Sequence, residues 1–170
     1  CPACHPDIDA LLALYNSTDG ANWANNSGWV DGDAGTDCLP CSWHGVTCDV
    51  EGRVSELDLG FNQLSGTIPL ELGNLSNLTF LRLNINELSG SIPAELGGLS
   101  NLTTLRLYNN QLSGCIPSRF TNFCSGVNVD LSENSLMDND DFSTFCSDGT
   151  GECPACHPDI DALLALYNST

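Results

Sequence analysis

Lysine is absent from this 170-residue sequence, and its four basic residues are all arginines: Arg53, Arg82, Arg106 and Arg119. Against them stand 22 Asp and Glu, for a formal net charge of −18. Such a surface repels phosphate, which excludes nucleic acid and anionic membranes as partners. It keeps the chain soluble by self-repulsion, and it also suits the capture of cations. No apolar run approaches the roughly 20 residues of a membrane-spanning helix; the longest is Ala10-Leu-Leu-Ala-Leu-Tyr15. An initiator Met and a signal peptide are also missing, so the sequence, opening at Cys1, reads as a processed product or a segment of something longer. No glycine-rich phosphate loop is present. His5 and His44, with His157 repeating His5, have no Ser, Cys or carboxylate at a triad-like spacing. The expectation is a non-enzyme without a cofactor.

Cysteine, by contrast, is abundant, with ten in the chain. Asn-x-Ser/Thr sequons occur at Asn16, Asn25, Asn74, Asn77, Asn101 and Asn168. Together they indicate an oxidising compartment and N-linked glycans, hence an extracellular protein, secreted or at the cell surface.

The chain repeats itself every 24 residues, from Val54, from Leu78 and from Leu102, with a degenerate copy from Gly126. In each copy an L-x-L (Leu57 and Leu59, Leu81 and Leu83, Leu105 and Leu107) alternates in and out, as a short strand does. Asn62, Asn86, Asn110 and Asn134 follow at the bend, where an inward amide satisfies backbone groups and stacked copies form a ladder. Ile68-Pro69, Ile92-Pro93 and Ile116-Pro117 fix the opposite wall, where no ladder N–H is needed. One coil cannot bury its own leucines; a stack can.

This pattern resembles the plant-type leucine-rich-repeat class, and the resemblance extends upstream. Asp9-Ala-Leu-Leu-Ala-Leu14, Trp23, Trp29 and Cys41-Ser-Trp43-His-Gly45-Val46-Thr-Cys48 look like the N-terminal capping module of that family. Ile8, Leu11, Leu12 and Tyr15 share one helical face, with Asp7 placed to start the helix and Gly20 beyond its end. The expected fold is an α/β leucine-rich-repeat solenoid of about four coils with disulfide-stapled caps. Its expected parts are a cap over 1–53, three repeats over 54–125, and a degenerate fourth repeat with C-terminal cap over 126–152.

A longer period lies over the short one. Residues 153–170 are identical to residues 1–18, so the natural unit is 1–152 and 153–170 begin a second copy. A covalent tandem array, segment exchange between subunits and an engineered duplication all account for it, and the first two give head-to-tail assembly.

Eight cysteines per unit allow 105 pairings. Cys41 and Cys48 pair in the family this resembles. Cys115 and Cys124 bracket a half-coil, Cys146 lies seven residues from Cys153, and Cys4 is left with Cys38. Two other readings stay open: a zinc site from Cys1, Cys4, Cys38 and Cys41, and a haem attachment motif at Cys1-Pro-Ala-Cys4-His5. Asp-rich turns at 31–37 and 138–141 read as solvated turns or calcium ligands.

On the concave face, three rows point outward: Glu56, Phe80, Thr104 and Asn128; Asp58, Arg82, Arg106 and Asp130; and Gly60, Asn84, Tyr108 and Ser132. Phe80, Arg82, Arg106 and Tyr108 form the candidate contact face. The sequence is read first as a structural subunit of a glycosylated extracellular filament, partnered by copies of itself. The alternative is an extracellular recognition module, such as a receptor ectodomain or an inhibitor.

Overall fold

Each 24-residue period becomes one coil: a strand, a left-handed bend, a second short strand and a 3-10 turn. The computed structural model describes residues 7–29, 40–137 and 142–147. In chain order the elements are α1 (Ile8–Ser17), β1 (Val46–Cys48), β2 (Val54–Asp58), β3 (Ser65–Thr67), β4 (Phe80–Arg82) and β5 (Glu87–Gly90). There follow β6 (Thr104–Arg106), β7 (Gln111–Gly114), β8 (Asn128–Asp130), β9 (Ser135–Leu136) and α2 (Phe142–Ser147). One sheet has the order β1-β2-β4-β6-β8, all parallel except β1; β3-β5-β7-β9 stack on a second wall.

Register follows the repeat: Leu57 lies opposite Leu81, Leu81 opposite Leu105, and Leu105 opposite Val129. The three leucines are fully buried and lie in one continuous core with Leu59, Leu83, Leu107 and Leu131. Burying each such side chain is worth about 2 kcal/mol. Pro69, Pro93 and Pro117 stand at the N-caps of 3-10 turns Leu70–Asn74, Ala94–Gly98 and Ser118–Phe123. There the coils stack closely: a Cβ at Gly97 would lie 2.7 Å from that of Arg119.

The asparagine ladder forms as the spacing predicts. Asn86 Oδ1 accepts from the Asn62 and Leu64 N–H groups, and its Nδ2 donates to the Leu59 and Leu83 carbonyls. Asn110 repeats the arrangement with the Leu88 N–H and the Leu83 and Leu107 carbonyls. At the first coil Asn62 reaches back into the cap, exchanging bonds with the Asn25 backbone at 2.7 and 2.9 Å.

The cap departs from expectation in two respects. Asp7 holds the N-cap position of α1, but its side chain makes no capping bond. Instead it receives Arg53 Nη2 at 2.6 Å and the Val54 N–H at 2.8 Å, locking the helix start to β2. The buried stripe is Ile8, Ala10, Leu11 and Leu14 rather than one through Leu12 and Tyr15. Tyr15 turns to the flank, edge-on to Trp23 and stacked with Trp29, while Trp29 packs on Trp43. Gly45 makes the tight turn possible: at φ +78° a side chain there would strike the Asp58 carbonyl.

Cys41 is bonded to Cys48, which ends the four-cysteine zinc reading because the Cys41 sulfur is consumed. Cys124 is bonded to Cys146, 22 residues on, so the expected Cys115–Cys124 and Cys146–Cys153 pairs do not form. Cys124 ends the third coil's 3-10 turn opposite α2, where Phe142 packs on Phe120 and brings Cys146 against it. Cys115 is also disulfide-bonded. Cys4, Cys38 and Cys153, the haem motif at 1–5, both Asp-rich turns and the duplicated segment lie outside the described residues.

Candidate binding face

The outward side chains of β2, β4, β6 and β8 make a polar sheet surface whose rows are fixed by register. Glu56, Phe80, Thr104 and Asn128 align, as do Asp58, Arg82, Arg106 and Asp130. Arg82 Nη1 donates to Asp58 Oδ2 at 3.0 Å, and its guanidinium carbon lies 5.0 Å from the centre of the Phe80 ring. Arg106 donates to Asn128 Oδ1 at 3.1 Å and stands 3.9 Å from Asp130. These pairs are partly exposed, so each contributes at most about 1 kcal/mol. They leave two guanidiniums side by side on adjacent strands, about 4.8 Å apart at the backbone. Arg53 is engaged in the cap and Arg119 lies on a 3-10 turn, so Arg82 and Arg106 supply the positive charge of this face.

In the third row the structure corrects one expectation. Asn84 does not point outward but is 1% exposed, and its Oδ1 has no hydrogen-bond partner among the described residues. Gly60 makes room for it: a Cβ there would sit 3.1 Å from Asn84 Oδ1 and 3.2 Å from Arg82 Cδ. Tyr108 stays half-buried beside it, its carbonyl accepting from the Ile85 N–H.

Sequence reasoning missed the adjoining rim. Phe61, Ile85, Asn109 and Glu133, spaced by the repeat, all take the left-handed conformation, with φ of 58°, 55°, 54° and 57°. Asn tolerates that region; for a β-branched or bulky residue it is a strained outlier. Phe61 is nonetheless 67% exposed, and with Gln63, Ile85, Asn86 and Glu87 it lines a shallow depression of about 290 Å³. The signal was present in the aligned repeats, where Asn109 stands in register with Phe61 and Ile85.

The sequons divide by environment. Asn16 and Asn74 are exposed, whereas Asn101 is exposed with its amide donating to the Ser76 carbonyl at 2.8 Å. Asn25 is exposed and its Nδ2 meets His44 Nδ1 at 3.1 Å. Asn77 is half-buried and donates to Asp49 Oδ2 at 2.8 Å. That bond, reinforced by the Arg53 and Glu51 N–H groups, holds the Asp49 carboxyl below its ordinary pKa. Asn168 is outside the described residues. Among the described residues no helix is long and apolar enough to cross a membrane.

Two family profiles match the chain. The Leucine rich repeat N-terminal domain covers residues 4–49 and again 156–170, and the Leucine Rich Repeat covers 53–75, 77–99 and 101–123. Phytosulfokine receptor 1 of Arabidopsis thaliana is 38% identical over 83 residues, 47% of this chain but 8% of that protein. Leucine-rich repeat protein 1 of Oryza sativa subsp. indica is 52% identical over 44 residues, 26% of this chain and 21% of its own length. The match thus spans a small part of each of these relatives. Among solved structures, a chain of the BIR3–SERK2 complex from Arabidopsis thaliana is 34% identical with a TM-score of 0.66, covering 76% of this chain and 70% of that one. The ectodomain of the receptor kinase SOBIR1 from the same plant is 29% identical with a TM-score of 0.61, covering 77% and 68%.

Proposed function

Because the chain belongs to the plant-type leucine-rich-repeat family, N-terminal capping domain included, we propose that it is an extracellular recognition module whose strand face holds a protein or peptide partner. The observation that carries this reading is the patch of Phe80, Arg82, Arg106 and Tyr108, bordered by the strained Phe61, which is exposed, and Ile85, which is half-buried. Unfavourable backbone conformations under exposed apolar side chains cost stability without serving the core, which is how binding surfaces are maintained. The two arginines suit an acidic group on the partner, in a chain otherwise strongly negative. Two of the relatives named above, Phytosulfokine receptor 1 and the SOBIR1 ectodomain, are a receptor and a receptor-kinase ectodomain, which supports recognition over the filament subunit. N-linked glycans on Asn16, Asn74 and Asn101 would clothe the molecule away from this face, whereas one on Asn25, whose backbone bonds Asn62, would stand near the Phe61 rim.

The test is to pan a displayed random-peptide library on the immobilised chain. Enriched peptides are expected to be acidic and to lose at least about tenfold in affinity for the Arg82→Ala/Arg106→Ala variant, a loss equal to about 1.4 kcal/mol. Binders indifferent to substitutions at Phe61, Phe80, Arg82, Arg106 and Tyr108 would remove this reading.

A second reading is favoured by a specific observation: the 18 identical residues at 153–170, matched at 156–170 by the same N-terminal-domain profile. On this reading the recognition module is one link of a tandem array. Sequencing the transcript through the 152/153 junction tests it; a single unit in the native message would reject it.

A further inference from the structure

The fold leaves one buried polar atom over. Asn62, Asn84 and Asn110 are all nearly covered, and the first and third spend their amides on backbone groups of the ladder. Asn84 Oδ1 is, among the described residues, the one buried side-chain nitrogen or oxygen without a hydrogen-bond partner. Burying such an oxygen unpaired costs stability, and no contact within the coil stack offsets it. Its surroundings are specific. A Cβ at Gly60 would stand 3.1 Å from Asn84 Oδ1 and 3.2 Å from Arg82 Cδ. One empty side-chain position, just past β2, therefore borders both the unpaired oxygen and the stem of Arg82.

Register says which way that stem moves. Asp58 on β2 and Arg106 on β6 flank Arg82 on β4 from opposite sides. At rest the Arg82 guanidinium leans toward β2, donating to Asp58 Oδ2 at 3.0 Å, while Arg106 leans the other way, to Asn128 and Asp130. Asp58 is anchored separately, its Oδ1 accepting from the Gly60 N–H at 3.3 Å. The side chains of the Arg82–Asp58 pair are 42% and 46% exposed, so their bond is weak and easily exchanged. An acidic group seated between the two arginines cancels their repulsion and draws Arg82 toward β6, off Gly60. We propose that Asn84 is a specificity-determining residue of the strand face, with Arg82 as the lid over it: a partner whose acidic side chain moves that lid places a backbone N–H on Asn84 Oδ1. The donor belongs to a main chain because Gly60 has no Cβ, the provision that lets another backbone come close. Arg82 and Asn84 lie about 7 Å apart along one strand, so the acid and the N–H come from neighbouring residues of the partner. This inference rests on the strand-face reading above and narrows the partner to an extended acidic peptide.

The experiment is titration calorimetry on the full chain with the acidic peptides enriched by panning, each also made with its backbone N–H groups methylated one at a time. On the unaltered chain, one methylation beside the acidic residue is expected to weaken binding at least about tenfold, equal to about 1.4 kcal/mol, because it leaves Asn84 Oδ1 unpaired. This series needs no variant, so misfolding cannot imitate it. Asn84→Leu, of similar volume, is expected to bind the unmethylated peptide at least about tenfold more weakly and to be indifferent to that methylation. Without peptide, the same variant is expected to unfold at a temperature no lower than the parent, as removal of an unpaired buried oxygen should allow. A fall of several degrees would make Asn84 a residue that merely holds the coil, and would overturn the proposal. Peptides that require Arg82 and Arg106 but tolerate methylation at every position would overturn it too, with the strand-face reading left standing. A library that yields no acidic binder, or binders indifferent to both arginines, removes the strand-face reading and this inference with it.

Discussion

At its N-terminal end the stack is closed by a ten-residue helix, an antiparallel strand on the sheet edge and the packed rings of Tyr15, Trp23, Trp29 and Trp43. At its C-terminal end the described closure is a six-residue helix tied by one disulfide, beside a strand edge that no described strand pairs. Every ladder asparagine leans on the turn before it: Asn62 exchanges both its amide groups with the cap backbone, and the oxygen of Asn134 accepts from Leu112, one coil back into the stack. A solenoid needs its end coils capped, because each coil is covered only by its neighbours and an end coil lacks one. Among the described residues the capping chemistry is concentrated at the first coil.

That contrast can be broken from either side. Asp7→Ala strikes the closed end, leaving the buried Val54 N–H without its acceptor and Arg53 without its bidentate partner. The expected loss is about 3 to 4 kcal/mol, moderated because Arg53 is 27% exposed. In a chain of this size it should lower the midpoint of thermal unfolding by about 10 °C. At the other end, Cys124→Ser with Cys146→Ser opens a 22-residue loop and is expected to cost about 2 to 3 kcal/mol. The distribution of damage is the sharper measure: hydrogen exchange should rise through several coils in the Asp7 variant, but only from β8 onward in the cysteine variant. Equal spread from both ends would mean that the caps are equivalent.

Much of this was legible in advance, because a 24-residue period dictates who stacks on whom. The leucine core, the asparagine ladder and the Asp58–Arg82–Arg106–Asp130 row follow from spacing alone. Three features did not. The Cys124–Cys146 bond depends on where α2 folds back, and half-coil spacing is silent about that. Asn84 is buried because Gly60, 24 residues earlier, leaves it space, an effect between rows rather than along one. The left-handed rim is a backbone demand that leucine periodicity hides, although Asn109 marked it. This last omission yields a prediction of opposite sign: Ile85→Asn relieves a strained conformation and should raise stability by about 1 kcal/mol, or roughly 3 °C. If the rim belongs to the binding face, the same substitution weakens the selected peptides, and a gain in stability with no loss of affinity would detach the rim from the site.

The smallest effect expected lies at the join between cap and first full coil. Asp49 accepts from the Glu51 and Arg53 N–H groups and from Asn77 Nδ2, and the Asn77 bond is the largest cause of its lowered pKa. A carboxylate whose pKa is lower folded than unfolded adds stability that is fully present above its unfolded pKa and is lost as pH falls through the folded one. The cap should therefore loosen from the coil stack only in acid, below the ordinary carboxylate range. Asn77→Ala should bring the Asp49 titration upward, read by NMR, and the acid onset of cap exchange should move to higher pH with it. If the titration moves and the onset does not, Asp49 organises only its own turn, and the hold on register rests with Asp7, Arg53 and Asn62.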